Sequence, residues 1–138
     1  MFGKSIPNGW LLVVTGLPGT GKSTWLLNAL ESGAWERPVL VAAEEGIEGA
    51  GLAERVARLE VMRTRFSDAA SFPELSAMVD EVEPDVVAID SATALGLTPE
   101  EALVLRRSYP SVAFACVVQS AKDGGHRGSQ AWLHDADA

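Results

Sequence analysis

The sequence predicts an α/β domain in three layers, a mostly parallel central sheet covered by helices on both faces, and two observations carry that prediction. Short, near-continuous apolar segments alternate with segments whose apolar residues recur every three or four positions, the pattern of buried parallel strands alternating with amphipathic helices. A glycine-rich turn joins the first strand to the first helix, the junction at which such sheets bind anions. With 138 residues, 47% of them hydrophobic, the chain has material for one core, so residues 1–138 are expected to form one domain. No internal repeat, low-complexity tract or linker divides it.

Residues 10–15 are apolar and β-branched and close on Gly16, which predicts the first strand. Residues 22–31 predict a helix from the spacing of Trp25, Leu26, Ala29 and Leu30, with Gly33 as its stop and Trp25 and Trp35 as packing residues. The second strand is expected over 39–43, between Pro38 and the acidic pair Glu44 and Glu45. A helix over 48–59 shows Leu52, Val56 and Leu59 on one face, and a short strand is expected over 61–66. The next helix, 72–82, aligns Leu75, Met78, Val79 and Val82. Pro84 then punctuates the chain before strand 86–89, which delivers Asp90 at its end. Residues 91–98 read as a linker of small residues leading to a helix with Thr98 as N-cap and Pro99 at its first position. Residues 112–118 form the most apolar strand, with Cys116 as a core thiol, and open into the polar stretch 119–128.

Charge and cysteine usage narrow the function classes. Nineteen acidic against eleven basic residues give a net charge of -8, which opposes non-specific attraction to a phosphate backbone. One cysteine excludes an intramolecular disulfide, and His126 and His134 are too isolated to suggest a metal centre. No apolar run approaches the roughly 20 residues of a membrane span, so cytoplasmic residence is expected.

Gly16, Leu17, Pro18, Gly19, Thr20, Gly21, Lys22 and Ser23 match the string G-x-x-x-x-G-K-[ST], set between a predicted strand and a predicted helix, with Thr24 following. Glycines let successive backbone N–H groups turn inward as an anion nest, and the helix N-terminus adds partial positive charge. The expected ligand is ATP with Mg²⁺. Lys22 reaches the β- and γ-phosphates and the Ser23 hydroxyl ligates the metal. Asp90, emerging where strand 86–89 ends, is the expected holder of a Mg²⁺ water, because ligands of open parallel sheets sit beyond the carboxyl ends of the strands.

With these residues identified, the sequence resembles the RecA-like ATPase core of the P-loop NTPases, nearest the RadA, DnaB helicase and KaiC branch. The resemblance runs from Pro7 and Gly9 through 16–24, 39–45 and 84–91 to 119–124 and 127–137, nearly the whole chain. It implies an ATPase serving DNA replication, recombination or repair. It also implies Glu44 or Glu45 as the base that activates the attacking water, and Gln119 as the sensor of the γ-phosphate. Lys122, His126 and Arg127, in the loop 120–128, would then meet single-stranded DNA, and a homo-oligomer is a further expectation. Trp132 is expected in the core or an interface. The chain stops at Ala138, where the family continues with strands that carry arginine fingers, so a minimal core that binds ATP better than it hydrolyses it is expected. Arg106 and Arg107, an adjacent basic pair on a predicted helix, are expected on its solvent face. The alternative is an ATP-binding switch or interaction module with little hydrolysis. A small-molecule kinase is weaker, since no arginine-rich lid lies between residues 91 and 110.

Overall fold

Strands and helices alternate along the chain: β1 (Leu11–Gly16), α1 (Lys22–Glu31), β2 (Pro38–Ala42), α2 (Ala50–Arg58), β3 (Arg65–Ser67), α3 (Phe72–Val82), β4 (Val86–Asp90), α4 (Ala92–Leu95), α5 (Pro99–Ser108) and β5 (Ala113–Gln119). This computed structural model describes residues 9–16, 22–33, 35–43 and 50–119. All strand pairs are parallel, and the five strands lie in the order β1-β5-β4-β2-β3. The strand formed last in sequence is therefore inserted between the first and the fourth.

The period-2 alternation of the strands divides their side chains between two cores, one on each face of the sheet. Leu11, Val13, Val41, Val87, Ile89, Phe114, Cys116 and Val118 pack with Leu75 and Val79 of α3 and with Ala102 and Leu105 of α5. Leu40, Ala42, Val86, Ala88, Ala113, Ala115 and Val117 pack with Leu26, Leu27 and Leu30 of α1, and Val56 of α2 joins them. Ala88, Ala113 and Ala115 put small strand residues on the α1 side of the sheet, whereas Phe114 fills the opposite face. The three-layer α/β architecture follows from these two cores.

Helix ends obey local chemistry. Thr98 and Glu101 form a reciprocal capping box, Glu101 N donating to Thr98 Oγ1 at 3.1 Å and Thr98 N to Glu101 Oε1 at 3.0 Å. Ser71 caps α3 by accepting from Glu74 N at 3.3 Å, and α3 stops at Glu83, whose left-handed φ of 54° turns the chain toward Pro84.

Four sequence expectations need correction. Trp25 is 45% exposed, and Leu27, 1% exposed, is buried in its place. Residues 61–64 are not strand, because the Glu31 carboxylate takes their donors: Met62 N at 2.8 Å, Arg63 N at 3.0 Å, and Thr64 N and Thr64 Oγ1 both at 2.6 Å. The expected linker after Asp90 contains α4, started by Ser91, whose Oγ accepts from Ala94 N at 3.0 Å. Arg106 does not project into solvent like Arg107; its Nε donates to Gly9 O at 3.2 Å.

That contact belongs to a lock at the start of β1. Gly9 N donates to Val112 O at 3.1 Å and Phe114 N to Trp10 O at 2.9 Å, which extends the β1–β5 register to the residues ahead of β1. Gly9 has φ +82°, and a Cβ there would lie 2.7 Å from Pro110 O. Gly9→Ala is expected to cost about 2 kcal/mol or more, from left-handed backbone and the clash with a main-chain oxygen, measured as a lower denaturation midpoint. An unchanged midpoint would show that the lead-in to β1 is not fixed by this contact.

Glu31 is a second lock. Burial desolvates its carboxylate and opposes the charge, but the hydrogen bonds from residues 62–64 outweigh this and hold its pKa below the ordinary 4.5. A depressed carboxyl pKa stabilises the fold above the unfolded value, and that contribution is lost as pH falls through the folded value. Glu31→Gln is accordingly expected to lose on the order of 1 kcal/mol at neutral pH, after discounting for solvent screening at a partly exposed group. In urea titrations over a pH series, the gap between wild type and variant should close as pH falls below 4.5; a gap independent of pH would remove the charge from the account.

Candidate functional site

Every strand runs in the same direction, so their carboxyl ends form one edge of the sheet, and the sequence-predicted residues are distributed along it. β1 ends at Gly16, which pairs with Gln119, the last residue of β5. β4 ends at Asp90, which pairs with Ala42, the last residue of β2. Four neighbouring strands thus terminate together at Gly16, Gln119, Asp90 and Ala42.

Register fixes their relative depth. Ile89 pairs with Cys116 and Cys116 with Val13, so Asp90 is level with Val14 and β1 continues two residues beyond it. With strands about 4.8 Å apart and a rise of about 3.3 Å per residue, Gly16 stands about 10 Å across the sheet from Asp90 and about 7 Å further out. A phosphate group and a hydrated metal fit within a step of that size.

Side-chain alternation then decides which face Asp90 belongs to. Val87 and Ile89 pack with α3 and α5, whereas Val86 and Ala88 pack with Leu26, Leu27 and Leu30 of α1. Asp90 continues the second series and lies on the α1 side. The helix that starts at Lys22, immediately after the glycine-rich segment, is therefore on the same side of the sheet as the carboxylate that ends β4. Asp90 is buried, 8% exposed, where a carboxylate needs polar partners. Ser91, fully buried, follows through a cis peptide and turns the chain into α4.

Leu17, Pro18, Gly19, Thr20 and Gly21 lie outside the described residues, as do Glu44, Glu45, Lys122, His126, Arg127 and Trp132. For Lys22, Ser23 and Gln119 the structure places the main chain, in α1 and β5, and the expectations about their side chains lie outside what is described. Thr24 is half-buried on the first turn of α1. The edge therefore carries Gly16, Gln119 and Asp90, with Asp90 on the face that α1 covers. No group of three or more His, Cys, Asp or Glu side chains suited to a metal occurs among the described residues. Cys116 is interior to β5, and burial pushes its thiol up to about 12, so it is protonated and inert.

Ser91 was not singled out by the sequence pattern. Its signal was available: a serine directly after the strand-ending aspartate is a good N-cap, but α4 spans four residues and is too short for apolar periodicity to show. The insertion of β5 between β1 and β4 had no local signal at all, because both neighbours are met only in the folded sheet.

No protein-family model matches this chain, and no curated protein matches it. Among solved structures, the crystal structure of the flagellar accessory protein FlaH from Methanocaldococcus jannaschii is similar, with a TM-score of 0.57 and 13% sequence identity, covering 91% of this chain and 69% of that one. At that identity the likeness concerns fold and not activity, and it does not distinguish the RadA, DnaB helicase and KaiC branch from other RecA-like proteins. This chain has the RecA-like α/β fold, one domain built on an all-parallel five-stranded sheet.

Proposed function

We propose that this domain binds ATP with Mg²⁺ at the carboxyl edge of the sheet, with residues 16–23 as the phosphate cradle. The observation that carries the reading is the placement of Asp90 on the α1 side of that edge, one strand removed from the strand that leads into the cradle. In this reading Gly16, Leu17, Pro18, Gly19, Thr20 and Gly21 wrap the phosphates with main-chain N–H groups, Lys22 supplies charge, and Thr24 completes the first turn of the helix beneath them. Ser23 and Asp90 hold the metal. One carboxylate, one hydroxyl, phosphate oxygens and retained waters suit Mg²⁺, which dehydrates reluctantly and does not need an all-protein cage.

Hydrolysis extends the same proposal. Glu44 or Glu45 activates water, and Gln119, paired with Gly16 in the sheet, reports the γ-phosphate to the segment that follows β5. A second reading, an ATP-binding switch with little turnover, is favoured by the similar solved structure, which is that of an accessory protein. A DNA role through Lys122, His126 and Arg127, in replication, recombination or repair and with assembly into a homo-oligomer, must overcome the net charge of -8. Among the described residues no helix is long and apolar enough to cross a membrane.

Calorimetric titration tests the cradle. Lys22→Ala is expected to weaken Mg-ATP binding by about 10- to 100-fold, the loss of one or two charge-assisted hydrogen bonds; unchanged affinity would remove the cradle from the account. Asp90→Asn should retain nucleotide binding without metal and lose most of the Mg²⁺ enhancement, and full enhancement in that variant would make Asp90 structural. Phosphate release with and without single-stranded DNA separates the readings. Stimulation by DNA supports the motor, while binding without turnover supports the switch.

A further inference from the structure

The basic residues of this acidic chain are gathered unevenly. Arg37, Arg63 and Arg65 line one cavity of about 360 Å³, together with Glu36, Pro38, Val39 and Val82. The cavity lies at the amino ends of β2 and β3, the opposite edge of the sheet from Gly16 and Asp90. Val39 pairs with Arg65, and Arg37 and Arg63 each stand two residues earlier in their segments, so the sheet register itself draws the three arginines together.

Two neighbouring acids hydrogen-bond the main chain beside the arginines. Glu31 accepts from the main-chain N–H groups of Met62, Arg63 and Thr64. Asp85 accepts from Glu36 N at 2.7 Å and Arg37 N at 3.0 Å. These carboxylates hold the backbone that carries the arginines, and the cavity lining itself holds three arginines and one acid, Glu36. Arg63 Nη2 donates to Trp35 O at 2.7 Å, which fixes that side chain, while those of Arg37 and Arg65 make no hydrogen bond or ion pair among the described residues. Like charges held together on a rigid frame repel, and a bound anion relieves that repulsion.

We propose that this cavity binds a small organic phosphate, independently of any nucleotide at the carboxyl edge. Guanidinium forks match phosphate oxygens in pairs, which accounts for the polar side of the cavity. Val39 and Val82 offer the apolar wall that receives the organic part. The cavity volume of about 360 Å³ falls within the range of small-molecule sites, roughly 300–1,000 Å³.

The test uses inorganic phosphate and phenyl phosphate, titrated by calorimetry into the full chain carrying Lys22→Ala, so that the proposed cradle does not contribute. Both probes are expected to saturate one site, phenyl phosphate more tightly. Combining Arg37→Ala with Arg65→Ala should weaken both by about tenfold or more. Neither side chain holds the fold together, and circular dichroism checks that the variant is folded; Arg37→Lys with Arg65→Lys, which keeps charge and stem but removes the forks, should also bind more weakly than the parent. Arg58→Ala, at an exposed arginine outside the cavity, should leave affinity unchanged. Absence of saturable binding, unchanged affinity in the paired variants, or an equal loss in Arg58→Ala would overturn the proposal.

Discussion

The hydrogen-bonded insertion of β5 between β1 and β4 is the constraint on which the rest of the structure depends. A strand paired on both sides has no freedom to slide, because a one-residue slip would transfer Phe114, Cys116 and Val118 to the α1 side and leave Ala113, Ala115 and Val117 to fill the opposite core. The volumes do not interchange: alanines lie on the α1 side of β5, and Phe114 meets Tyr109 on the far side with ring centroids 6.5 Å apart. Packing on both faces therefore enforces one register, and that register carries Gly16, Gln119 and Asp90 to their positions along one edge.

What could be read from the sequence was whatever local chemistry specifies. α1 and α3 fall on the residues their periodicity predicts, and α5 begins where Thr98 and Pro99 place it, because caps and apolar spacing act within a turn or two. The strands, too, match within a residue or so, except β3. There the apolar residues of 61–66 suggested extended pairing, but Glu31 claims the donors of 62–64 from thirty or so residues away, and no local pattern announces that. Trp25 and Leu27 were confused for a related reason. Both are apolar and stand two positions apart, and the face that turns inward is the one shared by Leu26, Leu27 and Leu30, which only the packing against the sheet decides.

The candidate site was legible to a similar degree. A phosphate-cradle string between a strand and a helix, and an aspartate at the end of a buried strand, are local signals and were found. Their placement on one edge was not local: residues 16 and 90 stand two strands apart because β5 lies between them, with Asp90 directed to the α1 side by the alternation of Val86 and Ala88 with Val87 and Ile89.

The side-chain locks reveal how labour is divided between the two edges of the sheet. Glu31 holds the segment before β3, Asp85 the residues before β2, and Arg106 the glycine before β1. Tyr109, just ahead of β5, bonds Ser76 Oγ at 2.8 Å and Asp80 Oδ1 at 2.9 Å on α3. All four act at the amino edge, where the helices end and the strands begin. Fixing the strands there determines where each will emerge at the other edge, since a β-strand transmits position along its length without needing contacts at its far end. The arginine cavity lies at this same amino edge, where the carboxylates that hold main-chain N–H groups fix the backbone of Arg37 and Arg63 and so set the guanidinium groups beside one another.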